Sequence, residues 1–578
     1  MGRGETTFQG HGMMVFYMVR RLIAFFSESI SGIHAAAYVI ATFAFVSQVL
    51  GLVRDRMLAH LFGAGPTLDV YYAAFRIPDF LFASIASIVS LFVLIPLLSD
   101  RLEKQGKLEA KAFLSQVTTF FCVFICAASA LLWFLAPMLV RFLYPGFDAG
   151  QQQSFIELTR ILLLSPIFLG LSNILSSVTQ LAGRFYVYAL SPILYNLGII
   201  IGVAALYPRW GLAGIGWGVV IGAVMHLLIQ VPTVIKEGLL PRPTLSFDWK
   251  ALWGVIVVSL PRTTTLALNQ LVMLALLGFA STLAAGSVTV FTFASNLYMA
   301  PLTLIGVSYS VAAFPVLSKL FSNGDKTAFL DHVLVALRSI IFWSLPTVTV
   351  FIVLRAHIVR VLLGSGQFDW ADTRLTAAVF ALFMISLVAH GLVLLFVRAY
   401  YAAGKTARPL LVTLGSSALT VGLVWGSVLI SDAIPTLRYF VEDLLRISDV
   451  PGTNVVMIAF AYSLGLIVNA SVFWMLFRRD FGGHMPRQVL KTIWHASASS
   501  ILAASAAYLV LRATESVFDL SIARDVFFQG AVAGVAALIV WTGVLLILKN
   551  PEFAELVATI RARFWQRAAA IAPETGPM

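Results

Sequence analysis

Long apolar runs separated by short polar clusters recur along almost the whole chain. A hydrocarbon core about 30 Å thick is crossed by roughly 20 apolar residues of helix, and these runs have that length. They lack the alternation of a membrane-barrel strand, which lasts only about ten residues. Helices also satisfy their own backbone hydrogen bonds inside lipid. The pattern predicts spans near 37–57, 76–98, 113–140, 157–180, 185–206, 212–235, 251–280, 287–317, 328–355, 374–402, 408–431, 453–477, 490–512 and 526–548. The expected fold is therefore an all-α polytopic membrane protein of about fourteen transmembrane helices.

The chain also resembles itself at an offset near 220. Ile95-Pro96-Leu97-Leu98-Ser99 returns as Phe314-Pro315-Val316-Leu317-Ser318. Gly146-Phe147-Asp148 returns as Phe368-Asp369, and Gly183-Arg184 as Gly404-Lys405. The repeat covers spans one to six and seven to twelve. Six is even, so both copies enter the membrane in one direction, which predicts two six-helix lobes related by a pseudo-twofold axis along the membrane normal. Spans thirteen and fourteen are an addition. The predicted organisation is a cytoplasmic or interfacial segment at 1–36, an N-terminal lobe at 37–235 and a C-terminal lobe at 236–477. Two added helices at 478–548 and a basic cytoplasmic tail at 549–578 follow. The apolar stretch from Met13 to Phe26 is interrupted by Arg20 and Arg21 and has no small-residue cleavage site, so it predicts an interfacial segment rather than a signal peptide.

Composition agrees: 60% of residues are hydrophobic and 11% charged, where soluble proteins carry about 25% charged residues. No room is left for a large soluble catalytic domain. The net charge of +12 would suggest nucleic acid in a soluble protein. Here every lysine, Lys104, Lys236, Lys405 and Lys549 among them, falls in the loops that share a side with the termini. Basic loops face the cytoplasm, which predicts both termini there and makes most of the charge topological.

Ionisable residues near or inside spans cost roughly 2.5 to 3.5 kcal/mol each on insertion scales, so each asks for a reason. Arg54 and Asp55 close the first span, Asp69 precedes the second, and Arg76 and Asp79 flank Pro78. Arg262 follows Pro261 in a span that also carries Asn269 and Gln270. Two readings stand for Arg54, Arg76 and Arg262: a cationic cavity for a phosphate-bearing headgroup, since Arg binds phosphate through a bidentate fork, or snorkelling and pairing with neighbouring Asp. Gly63, Gly65 and Pro66 break the chain between the first two spans, as a bending carrier requires. Arg160, Arg338, Arg398, His226 and His390 are expected to be structural. Cys122 and Cys126 are expected to be packing residues, and the acids Asp432, Glu442, Asp443 and Asp449 to lie on a solvated outer loop. HExxH, GxSxG and Walker motifs are absent from the sequence, which predicts a transporter rather than an enzyme. No metal or other cofactor is expected. Transport would draw on membrane potential or an ion gradient.

The residues Ser47-Gln48-Val49-Leu50-Gly51-Leu52-Val53-Arg54-Asp55, Phe62-Gly63-Ala64-Gly65, and Asp69 through Phe75-Arg76-Ile77-Pro78 resemble the opening signature of the MurJ (MviN) lipid II flippase family. Pro96, Pro261 with Gln270, Ala285-Gly286-Ser287 and Pro315 with Leu317-Ser318 extend the likeness over spans one to twelve. The resemblance implies the multidrug/oligosaccharidyl-lipid/polysaccharide exporter superfamily, with two lobes around a V-shaped cavity. It implies translocation of undecaprenyl-pyrophosphate-linked peptidoglycan precursor, lipid II, across the bacterial cytoplasmic membrane for cell-wall synthesis. Spans thirteen and fourteen would then form a groove for the lipid tail, and cell-wall synthesis machinery would be a partner. Arg54, Asp55, Asp69 and Arg76 match the family pattern. Gln48, Phe82 or Ala83, Ser295-Asn296 and Met299 stand where the family commonly has Arg, Arg, Asp-Arg and Glu. Arg262 would replace a lost cavity charge, with Asn296 among the supporting residues. The alternatives are a flippase for another polyprenyl-linked glycan of O-antigen or capsule type, and a non-transporting scaffold of envelope synthesis.

Overall fold

The structure is a computed structural model describing residues 33–86, 88, 91–433, 435–482, 487–520, 522–558 and 561. The interfacial stretch expected from Met13 to Phe26 and most of the expected basic tail lie outside the described residues. Every regular element among the described residues is helical. The chain divides into two compact units between Val288 and Thr289, so the helix Trp249–Ser281 is counted in the first.

Length and composition qualify eleven helices as membrane spans, or twelve if Trp370–Ile385 and Leu387–Ala402, bent by 45°, form one span. The expected fourteen is not reached by that count, for two physical reasons. The spans expected at 185–206 and 212–235 share one helical run, Phe185–Lys236, interrupted by a π turn at Gly202–Leu206 and by Gly211 (φ 58, ψ −144). The span expected at 76–98 is divided into Pro66–Leu81, a π-helical turn Phe82–Ala86 and Leu91–Lys104.

That π turn recurs. Pro66–Leu81 runs into Phe82–Ala86 in the first unit, and Ser287–Leu302 runs into the π turn Thr303–Val307 in the second. Each π turn lies just after a proline within the preceding helix, Pro78 or Pro301. Proline lacks the N–H of the regular ladder, so a wider turn next to it accommodates the break. The helix starts repeat as well. The Asp148 side chain accepts from the Gln151 backbone N–H in a full capping box, and Asp369 accepts from the Asp372 N–H. Such caps satisfy donors that have no carbonyl partner within the helix. Gly183 (φ 69) and Gly404 (φ 70) both end helices in the left-handed region.

In the first unit, Phe185–Ile201 lies against Tyr207–Leu228. Their seam is glycine: a Cβ on Gly198 would stand 2.3 Å from the Gly222 Cα. Close backbone approach through small residues is the usual means of helix association in lipid, where apolar surface gains little by leaving the hydrocarbon.

In the second unit, Lys326–Val353 packs on Arg487–Ala513, which packs on Ala523–Ile547. Ala503, Ala507, Ala533 and Ala537 fill that contact, with Phe342 and Trp541 as its large members. Phe553, beyond the last span, folds back into the same cluster, and Glu552 meets Thr492 and pairs with Arg338 at 3.8 Å. A second cluster gathers Phe329, Phe396, Tyr400, Phe473 and Phe477.

Candidate functional site

The helix Ile33–Phe62 is long enough to carry Arg54 past the middle of its own length, and its neighbours decide what that charge does. Arg54 Nε and Nη2 donate to Asp55 Oδ1 at 2.9 and 2.8 Å. Its Nη1 donates to Asn196 Oδ1 at 3.3 Å, and Asn196 Nδ2 donates to the Ser47 hydroxyl at 3.1 Å. The Asp55 side chain is 5% exposed and that of Arg54 22%, so this ion pair is largely removed from solvent. Removing one partner of such a pair strands a charge, at a cost of roughly 3 to 5 kcal/mol.

Arg76 sits six residues before the π turn, in the helix that Pro66 begins and Gly65 precedes in extended conformation. Gly63 turns the chain at φ 60, with its N–H on the Ala59 carbonyl at 2.9 Å. Pro78 is buried. Arg76 Nη1 stands 4.0 Å from Asp79 Oδ2, a distance for attraction rather than for a hydrogen bond. Its buried Nε has no hydrogen-bond partner among the described residues. A guanidinium with spare donors differs chemically from Arg54, whose donors are largely engaged.

Tyrosines connect these groups. Tyr72 lies within electrostatic range of Arg54, Asp55 and Arg76. Tyr71 is within range of Arg54, Asp55, Asp79 and Tyr195, and the Tyr144 hydroxyl donates to the Ala73 carbonyl at 3.3 Å. Arg54 and Arg76 therefore belong to one polar cluster inside the first unit. Sequence reasoning missed Tyr71, Tyr72, Tyr144, Tyr195 and Asn196. Asn196, an amide in an otherwise apolar stretch, carried a signal that could have been used.

Asp69 lies in the first turn of the same helix as Arg76. It is 3% exposed, and its Oδ2 accepts from the Gly286 N–H at 2.6 Å. Arg262 lies within Trp249–Ser281, and its side chain is outside the described residues. On the same helix the Ser259 hydroxyl donates to the Ile88 carbonyl at 2.7 Å, Thr263 is buried, Gln270 is half-buried and Asn269 is exposed. Asn296 is half-buried on Ser287–Leu302.

The remaining intramembrane cations and histidines have local partners. Arg160 lies over the Trp133 ring at 4.2 Å, and Arg398 donates to the Val307 carbonyl at 3.1 Å and to Ser310. His226 Nδ1 is 2.7 Å from the Ser172 hydroxyl, which also meets Gln230, and His390 Nδ1 is 3.0 Å from the Tyr298 hydroxyl. The expected solvated outer loop needs correction. It contains the helix Pro435–Leu445, whose Glu442 is buried, paired with Arg438 at 2.9 Å and bonded by Thr453. Cys122 and Cys126 are free thiols, and no group of three or more His, Cys, Asp or Glu suited to a metal occurs among the described residues.

Comparison with known proteins gives these residues a context. The probable lipid II flippase MurJ of Thermotoga maritima is 29% identical over 385 residues, covering 66% of this chain and 76% of the relative. The lipid II flippase MurJ of Burkholderia cenocepacia is 25% identical over 391 residues, covering 66% and 75%. The fold is similar to that of a lipid II flippase MurJ solved in an inward closed conformation, with a TM-score of 0.71 at 23% identity over 90% of this chain and all of the other. It is also similar to an inward-facing multidrug resistance MATE family transporter of the MOP superfamily, with a TM-score of 0.62 at 16% identity over 77% of this chain and 98% of that one. The sequence model described as lipid II flippase MurJ matches residues 58–527. A multi-span helical fold and a match across most of its length together place the chain in the MurJ lipid II flippase family.

Proposed function

We propose that the chain translocates lipid II, the undecaprenyl-pyrophosphate-linked peptidoglycan precursor, from the inner to the outer leaflet of the bacterial cytoplasmic membrane by alternating access. The observation that carries this reading is the family match over residues 58–527. The polar cluster of the first unit supports it chemically. A pyrophosphate entering a low-dielectric cavity needs cations with donors to spare, and Arg76 has a buried Nε without a partner among the described residues. Arg54, held by Asp55 and Asn196, supplies an oriented positive charge beside it. Arg262 is the third cation of this reading, with Asn269, Gln270 and Asn296 as polar support. Gly63, Gly65 and Pro78 give the adjoining chain its bends, and Asp69 anchors one of them.

Both termini face the cytoplasm in this reading, with the lysine-bearing loops. The helices Arg487–Ala513 and Ala523–Ile547 border the path of the lipid tail. Transport runs on membrane potential or an ion gradient without a cofactor, and cell-wall synthesis enzymes receive the cargo. A second reading, a flippase for another polyprenyl-pyrophosphate glycan, is favoured by Gln48, Asn296 and Met299 at positions where the family commonly carries charge.

Complementation separates the two. The chain is expected to restore growth to a bacterium depleted of its own lipid II flippase. In proteoliposomes it is expected to move a fluorescent lipid II analogue faster than protein-free vesicles. Normal membrane insertion with neither activity would refute the lipid II assignment, and movement of an O-antigen-type glycolipid instead would establish the second reading.

A further inference from the structure

A cavity of about 630 Å³ opens in the second unit. The short helix Arg355–Leu362 contributes Arg355 and His357 to its wall, and Trp370–Ile385 contributes Arg374. Arg446 comes from the chain after Pro435–Leu445, Arg512 from the end of Arg487–Ala513, and Gln529 from Ala523–Ile547. Among the described residues Glu515 is the one carboxylate of the lining.

These arginines are unequally engaged. Arg374 is committed to Asp449, with Nη1 on Oδ2 at 2.7 Å, and also donates to the Arg446 carbonyl. Arg355, Arg446 and Arg512 make no ion pair among the described residues. The Arg355 donors go to the carbonyls of Ile352 at 2.9 Å and Leu445 at 3.4 Å, which leave its charge uncompensated. Burial, and then the like charge of Arg446, hold the Arg355 guanidinium below its ordinary value. Arg446 stands at φ 59, a left-handed conformation rare for a residue with a long side chain. With a single lining carboxylate against three unpaired guanidinium groups, the cavity attracts an anion.

The neighbouring helix fixes the depth of the cavity. Pro435–Leu445 is inverted relative to a soluble amphipathic helix: Tyr439, Phe440 and Leu444 are exposed while Glu442 is buried. At 11 residues the helix is too short to cross the hydrocarbon core, so its outward aromatic and aliphatic side chains suit the interfacial plane. Leu444 and Leu445 of this helix line the cavity, as do Trp370 and Tyr508, both partly exposed. Tryptophan and tyrosine mark the headgroup level. The mouth is thus cationic and bordered by apolar surface.

We propose that this cavity binds the phosphate of an anionic membrane lipid's headgroup, with the acyl chains along the apolar rim. His357 adds a polar contact. The Gln529 amide nitrogen donates to the Leu511 carbonyl at 3.1 Å, so its oxygen accepts from His357 Nε2 at 3.0 Å. His357 Nδ1 is then a lone-pair acceptor with no partner among the described residues. It suits a hydroxyl next to the phosphate, as in a glycerol headgroup. The proposal does not depend on which cargo the chain carries.

The test uses the full chain in detergent with defined lipid added, read by native mass spectrometry and by thermal unfolding. Phosphatidylglycerol is expected to bind about tenfold more tightly than phosphatidylcholine. The double variant Arg446→Gln/Arg512→Gln, at two exposed positions, is expected to abolish that preference while unfolding in phosphatidylcholine at an unchanged temperature. Arg408→Gln, elsewhere on the second unit, is expected to keep it. Equal binding of the two lipids, or a preference retained by the double variant, would overturn the proposal. Equal stabilisation by inorganic phosphate at the same concentration would overturn the lipid assignment.

Discussion

Gly286 donates its backbone N–H to Asp69 Oδ2 at 2.6 Å, across 217 residues of sequence, within the first compact unit. The contact ties the first turn of Pro66–Leu81 to the chain just after Trp249–Ser281. Gly286 can take no side chain there: its φ is +91, and a Cβ would stand 2.2 Å from the Ala64 carbonyl oxygen. Asp69→Ala leaves a buried donor without its acceptor, at a cost of about 1 to 3 kcal/mol. Asp69→Asn, which keeps a neutral acceptor, is expected to lose less, and Gly286→Ala to lose more than either. Thermal unfolding in detergent measures the order. A Gly286→Ala protein as stable as the parent would show that the close approach to Ala64 is absent.

Arg54 and Arg76 should respond differently to the same substitution. Arg54→Ala removes the cation paired with the buried Asp55 carboxylate, so it is expected to destabilise the protein by roughly 3 to 5 kcal/mol as well as to impair transport. Arg54→Ala/Asp55→Ala removes both charges and is expected to recover most of the stability without recovering complementation. Arg76→Ala, whose partner Asp79 is 4.0 Å away and 44% exposed, is expected to leave the unfolding temperature nearly unchanged while still impairing growth. Full complementation by the Arg54→Ala/Asp55→Ala protein and by Arg76→Ala would remove the cationic-cavity reading.

The repeat was legible at residues that carry their own physics. Asp148 and Asp369, quoted as a sequence repeat, both prove to be helix caps, and Gly183 and Gly404 are both left-handed helix ends. The π turns Phe82–Ala86 and Thr303–Val307 were not legible, because a wider turn leaves hydrophobic periodicity almost unaltered over five residues. Arg54 and Arg76 could be singled out as costly charges in apolar surroundings. Their connection through Tyr71 and Tyr72 could not, since tyrosine is unremarkable in a span until its neighbours are known. Glu442 failed for the opposite reason: a short amphipathic helix within a polar stretch looks like solvated loop, and burial of its acidic face depends on Arg438 and Thr453.

The loop after Pro435–Leu445 should loosen in acid. Hydrogen bonding from Arg374 is the main cause that holds the Asp449 carboxyl below its ordinary value of 3.8. A depressed carboxyl contributes stability above the unfolded value and loses it as pH falls through the folded one. Protection of residues 446–454 against hydrogen exchange is therefore expected to be level from pH 8 to about pH 5 and to drop below about pH 4. Asp449→Asn is expected to show the loosened state throughout. Asp449 is largely exposed, so screening keeps the effect local rather than global. A loop protected equally at pH 3 and pH 7 would contradict the pairing.

The glycine seam of the first unit should couple packing to the polar cluster. A Cβ on Gly222 would stand 2.4 Å from the Tyr195 carbonyl oxygen. The next residue, Asn196, holds Arg54 Nη1 and the Ser47 hydroxyl. Relief of the clash requires Phe185–Ile201 to move away from Tyr207–Leu228, and that movement carries Asn196 away from Arg54. Gly222→Ala is therefore expected to lower both the unfolding temperature and complementation. Asn196→Ala, which removes the contact without the clash, is expected to reproduce the loss of function with a smaller loss of stability. Gly426→Ala serves as a comparison, since a Cβ there meets nothing within 4 Å. Replacing a helical glycine at an unobstructed position stabilises by about 0.4 to 1 kcal/mol, so this variant should be neutral or slightly more stable. If Gly222→Ala lost stability but complemented as well as Gly426→Ala, the seam would be a packing feature with no hold on Arg54.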